Sequence, residues 1–456
     1  MPDTPSMVHV PQLAKELGAR FAEAGQELFL VGGSVRDILQ GRPSPDLDFA
    51  TSAHPTETTR LLRGWADRKY LVGVKFGTVG ALKDGVRVEV TTFRKEVYAE
   101  EHRKPAVTFG DDVFVDLSRR DFTINAMAVR LPDGEFVDPY GGVKALSAGL
   151  LDTPLDPELS FSDDPLRMIR AARFVAQLGV KPADRVVAAM RGMAERLEIV
   201  SAERIRDELD KLLVAEHAPA GLELLVETGL ADRFMPELPA LSLEQDPVHR
   251  HKDVLRHTYA VVDRCEPDAV LRLAALLHDV GKPATRKITP EGVTFHHHEV
   301  EGARIARARL TELRYPKSVI DDVCTLIELH LRFHGYGDGA WSDAAVRRFV
   351  RDAGPLLDRL NQLTRADVTT RNEKRAQAFA KLQDELEERI AALAEQENLE
   401  AMRPPLGGTR VMEILGLEPG PEIGEALAYL MEVRLERGPI AEDEAIELLR
   451  AWAAAR

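Results

Sequence analysis

The chain changes periodicity about a third of the way along its length. From about residue 20 to 150, apolar positions come in short runs and strict alternations. Leu28-Phe29-Leu30-Val31 is an apolar run of strand length, and GGSVRDIL follows it directly, turning from strand into helix. DLDFA (46–50) reads as a second strand. VRVEVTTF (86–93) alternates, with Val86, Val88 and Val90 on one face and Arg87, Glu89 and Thr91 on the other. AMAVRLPDGEFVDP reads as a hairpin turned at Pro132-Asp133-Gly134. Beyond residue 150 the two-residue period almost vanishes. Helical spacing runs from there to Arg456, interrupted at GVKP (179–182), PELPALSLEQDP (236–247), GYGDGA (335–340) and RPPLGG (403–408). Within 374–402, Phe379, Leu382, Leu386, Ile390 and Leu393 recur at helical spacing, which predicts a core-packing helix. The pattern therefore predicts an α+β chain: a small α/β head followed by a long, all-helical remainder, without internal repeats.

Composition refines this picture. At 456 residues the chain exceeds one ordinary core, and its 44% hydrophobic content suffices for several. The balance of 60 basic against 75 acidic residues, a net charge of −15, argues against indiscriminate DNA coating. It leaves RNA binding open, since local basic patches decide that. Only two cysteines, Cys265 and Cys324, fit a reducing cytosol and predict a cytoplasmic protein. The N-terminal stretch lacks a signal-peptide core, and no apolar run reaches the ~18 residues of a membrane span.

The head carries the first candidate chemistry. Gly32-Gly33-Ser34, between strand and helix, reads either as a tight turn or as a place where backbone approaches phosphate, with Arg36 as an added donor. Asp46 and Asp48 stand two apart on a strand, so both carboxylates leave the same face and repel unless a cation sits between them. Mg²⁺ held by carboxylates and substrate phosphates answers that repulsion. Glu89 reads either as a third carboxylate of the cluster or as an exposed strand acid. In RRDFTINA (119–126), Arg119 and Arg120 suit a triphosphate or a primer end, while Asp121 and Asn125 either orient them or cap the helix.

Taken together and in this order, these motifs resemble the polymerase-beta-like nucleotidyltransferases, and almost the whole chain resembles the class II bacterial tRNA nucleotidyltransferase and poly(A) polymerase family. The resemblance implies an N-terminal extension (1–20), a nucleotidyltransferase head (21–150), a helical neck with a base-recognition motif (151–240), an HD-type metal-dependent phosphohydrolase-like domain (241–370) and a helical tRNA-binding tail (371–456), in an elongated arrangement. It implies that Asp46 and Asp48 hold the catalytic Mg²⁺, that Gly33 and Arg36 contact the nucleotide, and that Arg120 serves the active site. The expected partners are the tRNA acceptor end, CTP and ATP, with no DNA and no membrane. The basic stretch Tyr98–Pro105, with His102, Arg103 and Lys104, corresponds to the family's flexible loop, whose presence favours addition of all three nucleotides.

SDDPLRMIRAARF (162–174) corresponds to the family's EDxxR-type motif, with Asp163 where Glu is usual and with Asp164 and Arg167 as the base readers. The chemistry is self-consistent. Cytosine and adenine each offer an amino donor beside a ring-nitrogen acceptor, which a carboxylate and an arginine complement. Uracil and guanine present the reverse and leave buried groups unpaired. Asp164 before Pro165 reads equally well as a helix cap. Steps of three rotate backwards by ~60° each, so only Arg167 lies beside Asp164. Arg170 and Arg173 turn towards phosphates, RNA or neighbouring helices.

LLHDVGKP (276–283) places His278 next to Asp279. His257 lies upstream, and His298, His330 and Asp367 lie downstream, a set suited to a divalent metal that activates water. This order resembles the HD phosphohydrolases and implies phosphatase or 2′,3′-cyclic phosphodiesterase activity. The sequence does not say which of His296, His297 and His298 points inward, and His249 and His251 compete with His257. RPPLGGTRVMEILGLEPGPEIGEAL resembles the family's C-terminal segment, in which Arg410 ranks no higher than a surface arginine. Three alternatives stand beside CCA addition: a poly(A) polymerase, a signalling enzyme with opposed nucleotidyl and HD activities on a partner protein, and a non-catalytic tRNA-binding protein. The last has no use for Asp46 and Asp48 together.

Overall fold

The computed structural model describes residues 8–42, 46–71, 73–96, 107–110, 112–243, 253–289, 292–333, 336, 341–369, 372–397 and 402–456. The loop Tyr98–Pro105, with His102, Arg103 and Lys104, lies outside them, as do His249 and His251. The chain divides into two compact units, Met1–Arg233 and Phe234–Arg456, so the expected 151–240 neck spans the division. The protein is α+β, and among the described residues no helix is long and apolar enough to cross a membrane.

The first unit is built on a seven-stranded sheet: β1 (Leu28–Val31), β2 (Asp46–Thr51), β3 (Arg68–Tyr70), β4 (Thr78–Lys83), β5 (Val86–Thr92), β8 (Ala128–Leu131) and β9 (Phe136–Val137), in the order β3-β4-β5-β2-β1-β8-β9. Strands β6 (Arg94–Glu96) and β7 (Val107–Phe109) form a separate ribbon. All sheet neighbours are antiparallel except β2 and β5. Both sheet faces are covered, which is why LFLV is apolar throughout. Leu28 and Leu30 join Leu47, Phe49, Val88 and Val90 beneath helix Gln12–Glu23, while Phe29 and Val31 join Ala50, Phe93, Val113 and Leu117 on the other side. A Cβ at Gly18 would lie 2.4 Å from that of Leu131, so the helix sits on the sheet at glycine distance. The β8–β9 hairpin turns at Pro132-Asp133-Gly134, as the sequence predicts.

Helices Pro157–Asp163, Leu166–Leu178, Asp184–Met193, Ala202–Leu213 and Ala218–Glu227 follow. The second of these ends at Gly179, whose φ of +64° needs no Cβ, and this explains the break at GVKP. It packs on Ala202–Leu213 and on Ala218–Glu227, where a Cβ at Gly221 would meet the Ala172 carbonyl at 2.6 Å.

In the second unit, helices Val254–Arg264, Ala269–Leu277, His298–Glu312, Lys317–Leu329 and Leu357–Asp367 surround one core. Helix Glu373–Glu397 buries Leu386, Ile390 and Leu393 and leaves Phe379 and Leu382 half-buried. The last three helices close their own cluster around Val411, Leu430 and Leu449. Two short ribbons interrupt the otherwise helical remainder. Leu150–Leu151 pairs with Lys181–Pro182, and Lys287–Thr289 with Gly292–Thr294. Strands of two or three residues are too short to register as alternation.

Candidate functional site

The β2–β5 register builds the first site. Asp46 pairs with Arg87, and Asp48 with Glu89, so all four side chains leave the same sheet face. Towards Ala50 and Phe93 that face is covered. At the Asp46 end it opens into a cavity of 580 Å³, which these four residues line together with Gly32, Gly33, Arg36, Arg120, Asp121, Asn125, Arg170 and Arg173. Ser34 does not line it. Its Oγ donates to the Asp46 carbonyl at 3.1 Å and accepts from the Asp48 N–H at 3.1 Å, pinning the acidic strand to the Gly-Gly turn. Gly32, at φ +72°, admits Arg120, whose Nη1 would lie 3.0 Å from a Cβ there. Burial pushes the Asp48 carboxyl up. Arg120 opposes that shift, and Glu89 and Asp46 add to it. Asp46, Asp48 and Glu89 share one half-covered face, and a divalent cation held together with substrate phosphates would relieve the repulsion that Glu89 and Asp46 exert on Asp48.

The arginines form a chain of pairs across the cavity wall. Arg36 donates to Asn125 Oδ1 at 2.8 Å and pairs with Asp37 at 2.8 Å. Asn125 Nδ2 donates to Asp121 at 3.0 Å, and Arg170 grips the same carboxylate through Nε at 3.0 Å and Nη2 at 2.5 Å. Burial would raise the Asp121 carboxyl, but Arg170 and Asn125 hold it down at about 2. Arg173 Nε pairs with the buried Glu208 at 3.0 Å, and burial beside Arg170 brings the Arg173 guanidinium down to about 10. Of the partners expected for Arg170 and Arg173, a neighbouring helix supplies Glu208, which both approach, whereas Asp121, the tighter partner of Arg170, lies in the segment between two helices.

Sequence reasoning missed several lining residues. Phe174, also in the wall, has Arg36, Arg170 and Arg173 over its ring at 5.5, 5.6 and 4.4 Å. Gln177 and Lys211 complete the lining. Asp116 holds Arg120 at 3.1 Å from one turn upstream, a spacing visible in DLSRR.

A second cavity of 330 Å³ shares Arg120, Asp121 and Arg170 with the first and adds Arg119, Asp164, Arg167 and Arg204. Asp164 and Arg167 face it together, yet they do not pair with each other. Asp164 Oδ1 accepts the Leu166 N–H at 3.2 Å, so the capping bond exists, although the helix starts one residue after Pro165. Asp164 Oδ2 accepts from Arg204 Nη2 at 2.7 Å. Arg167 donates to the Ser160 carbonyl and hydroxyl and to the Arg119 carbonyl.

The second unit gathers the His and Asp residues. His257, His278 and Asp367 form one group, and Asp279, His298 and His330 another; within each, the potential ligand atoms lie within 4.8 Å of one another. His298 is buried, whereas His296 and His297 are exposed, which resolves the choice within HHH. His278 and His330 stand at the C-caps of their helices, where unpaired carbonyls are available. Their Nδ1 atoms bond the carbonyls of Ala275 at 2.8 Å and Ile327 at 2.6 Å, and His298 does the same to Phe295 at 2.8 Å. His257 Nδ1 bonds Thr369 Oγ1 at 2.8 Å. Fixing Nδ1 turns each Nε2 towards the acids. His257 Nε2 lies 2.9 Å from Asp367, and His278 Nε2 lies 3.3 Å from Asp279.

Asp279 Oδ1 and His298 Nε2 are buried without a hydrogen bond, 3.4 Å apart, so the donor set fits a divalent cation. Burial would lower His278, but Asp279 and Asp367 outweigh it and carry the imidazole to about 10, while burial and His278 take His330 to about 3. Lys282, unremarked in the sequence reading, donates to Asp279 Oδ2 at 2.6 Å from one turn downstream. A Cβ at Gly281 would fall 2.1 Å from the His298 carbonyl, so this glycine lets the two segments meet.

Comparison with known proteins gives three family matches: the Poly A polymerase head domain over 28–152, the "Probable RNA and SrmB- binding site of polymerase A" over 179–241, and the HD domain over 254–372. The CCA-adding enzyme of Anoxybacillus flavithermus is 44% identical over 215 residues, 47% of this chain and 53% of that protein, so the chain spans about half the length of such curated relatives. Two other relatives match from end to end. The A-adding tRNA nucleotidyltransferase of Deinococcus radiodurans is 35% identical over 93% of this chain and 95% of its own. The CC-adding tRNA nucleotidyltransferase of Thermus thermophilus is 33% identical over 94% and 95%. Among solved structures, the Bacillus stearothermophilus CCA-adding enzyme in complex with CTP superimposes with a TM-score of 0.71 at 25% identity, covering 98% of this chain and 99% of that one.

Proposed function

Because this chain belongs to the tRNA nucleotidyltransferase family, we propose that it adds C, C and A to the 3′ end of tRNA from CTP and ATP, without a nucleic-acid template and with release of pyrophosphate. The observation that carries this reading is the parallel β2–β5 register, which brings Asp46, Asp48 and Glu89 to one cavity that Arg36, Arg120, Arg170 and Arg173 also line. Asp46 and Asp48 would hold Mg²⁺, which supplies charge neutralisation at the transferring phosphoryl group and activation of the attacking 3′-hydroxyl. Arg36 and Arg120 face the same space and suit the triphosphate. Asp164 and Arg167, in the adjoining cavity, suit the amino and ring-nitrogen pair shared by cytosine and adenine. In the second unit, the His and Asp set supports a metal-dependent phosphohydrolase acting on phosphorylated or 2′,3′-cyclic RNA ends.

The test is incubation with tRNA lacking its 3′ end and each NTP in turn, followed by sizing of the products. Three added nucleotides from CTP and ATP support the reading. A long A tail indicates a poly(A) polymerase, and no addition sinks it. A second reading, addition of CC or of A alone, is favoured by the names of the two end-to-end relatives. CTP alone giving two additions with no A to follow, or A added only to tRNA already ending in CC, would establish it.

A further inference from the structure

Resting on the nucleotidyl-transfer reading, we infer that Arg204 is the positioning residue that holds the Asp164 carboxylate in register with the incoming base, and so sharpens the exclusion of uracil and guanine. Asp164 ends helix Pro157–Asp163 in extended conformation, at φ −145°, so its side chain is not fixed by a helical turn of its own. Two contacts hold it instead. The Leu166 N–H takes Oδ1 at 3.2 Å, and the Arg204 guanidinium takes Oδ2 at 2.7 Å from 40 residues away, on helix Ala202–Leu213. The Arg167 side chain does not hold Asp164: Nη1 donates to Ser160 and one Nη2 N–H to the Arg119 carbonyl, which leaves the guanidinium further N–H donors for a base.

The consequence is chemical. A carboxylate oxygen has two acceptor positions, so Oδ2 can take a base amino group while Arg204 keeps the other. A base carbonyl offered to that oxygen meets a second acceptor and finds no proton to share. Without Arg204 the carboxylate is tethered at one oxygen only. It is then free to rotate, and an acceptor that is no longer aimed at the base edge loses much of its advantage for an amino group over a carbonyl. Arg204 is half exposed and lines the cavity shared with Arg167, so it borders the incoming base without being buried in the core.

The experiment compares CTP with UTP, and ATP with GTP, in single-nucleotide extension of tRNA by the full-length wild type, Arg204→Gln and Arg204→Lys, together with equilibrium binding of the same nucleotides. In Arg204→Gln the ratio of kcat/KM for CTP over UTP is expected to fall by roughly 10- to 100-fold, mainly through loss of kcat/KM for CTP, whose amino group no longer meets an aligned acceptor. Arg204→Lys restores part of the ratio, because it keeps the charge and loses the fork. A purely structural role would lower all four nucleotides together and leave the ratio intact. An unchanged ratio in Arg204→Gln, with wild type active, overturns this inference alone. A wild type that neither binds nor adds nucleotides overturns the nucleotidyl-transfer reading and this inference with it. Should Arg204→Gln unfold, the ratio in Arg204→Lys decides: a value identical to wild type for both extension and binding counts against the inference.

Discussion

In the two adjoining cavities of the first unit, several charged groups find partners far along the chain. Arg36 reaches Asn125 across 89 residues, Arg170 reaches Asp121 across 49, and Arg204 reaches Asp164 across 40. Around Asp279 three of the four imidazoles are instead fixed by the carbonyl three residues before them. The first site is made of paired, long-range contacts and lies in an open cavity. The second is pre-aimed by local geometry and buried, with polar atoms left for a cation. The difference teaches that helix-end carbonyls can orient a cluster of imidazoles by local geometry, while a wall of opposed charges is set by the tertiary fold.

The largest effect expected is from Asp48→Ala. It removes one of the converging carboxylates, and single-turnover extension of tRNA should fall by roughly 10³-fold or more, with the cation content of the second unit unchanged. Loss of both together would erase the distinction between the two sites. His278→Ala is the mirror experiment. Elemental analysis should show loss of bound cation in the second unit, with nucleotide addition within about twofold of wild type. Retention of the cation would mean that the cluster is a hydrogen-bonded core only.

A smaller effect is expected at Asp121, whose carboxyl is held at about 2 against an ordinary 3.8. A lowered folded value means stability that is present above the ordinary value and lost as pH falls through the folded one. Urea unfolding should therefore show Asp121→Asn less stable by ~2 kcal/mol near neutrality, with the gap closing as pH falls from ~4 towards ~2. A gap that does not change with pH would mean that packing, not the Arg170 pair, accounts for it. Smallest of all is Arg410→Ala. Arg410 pairs with Glu413 and Glu442 at the surface, and tRNA affinity by filter binding should change less than about twofold.

Much of this was legible in one dimension because the relevant physics is local. Alternation in VRVEVTTF placed Glu89 on the face opposite Val88 and Val90, and the structure keeps it there. Asp-x-Asp on a strand required convergence on one side whatever the fold. The sequence left open whether Glu89 is a third carboxylate or an exposed strand acid, and the structure gives it features of both: the register sets it beside Asp48, and its side chain is exposed. The arginines after Asp164 were legible as a series but not as pairs. Helical rotation separates Arg170 and Arg173 from Asp164, yet only the fold supplies Asp121 and Glu208 to them and Arg204 to Asp164.

By itself, then, the sequence determined the α+β class, the strand faces and the Asp46–Asp48 pair, which rest on periodicity and on short spacings, while the order of motifs along the chain carried the family resemblance and with it the His and Asp set. Tertiary structure alone decided that His298 rather than His296 or His297 is buried beside Asp279, that Lys282 sits on the same carboxylate, and that Asp164 is anchored by Arg204 rather than Arg167. The physical reason is that a guanidinium or an imidazole reaches only a few ångströms, so its partner is whatever the packing of distant helices brings within that reach.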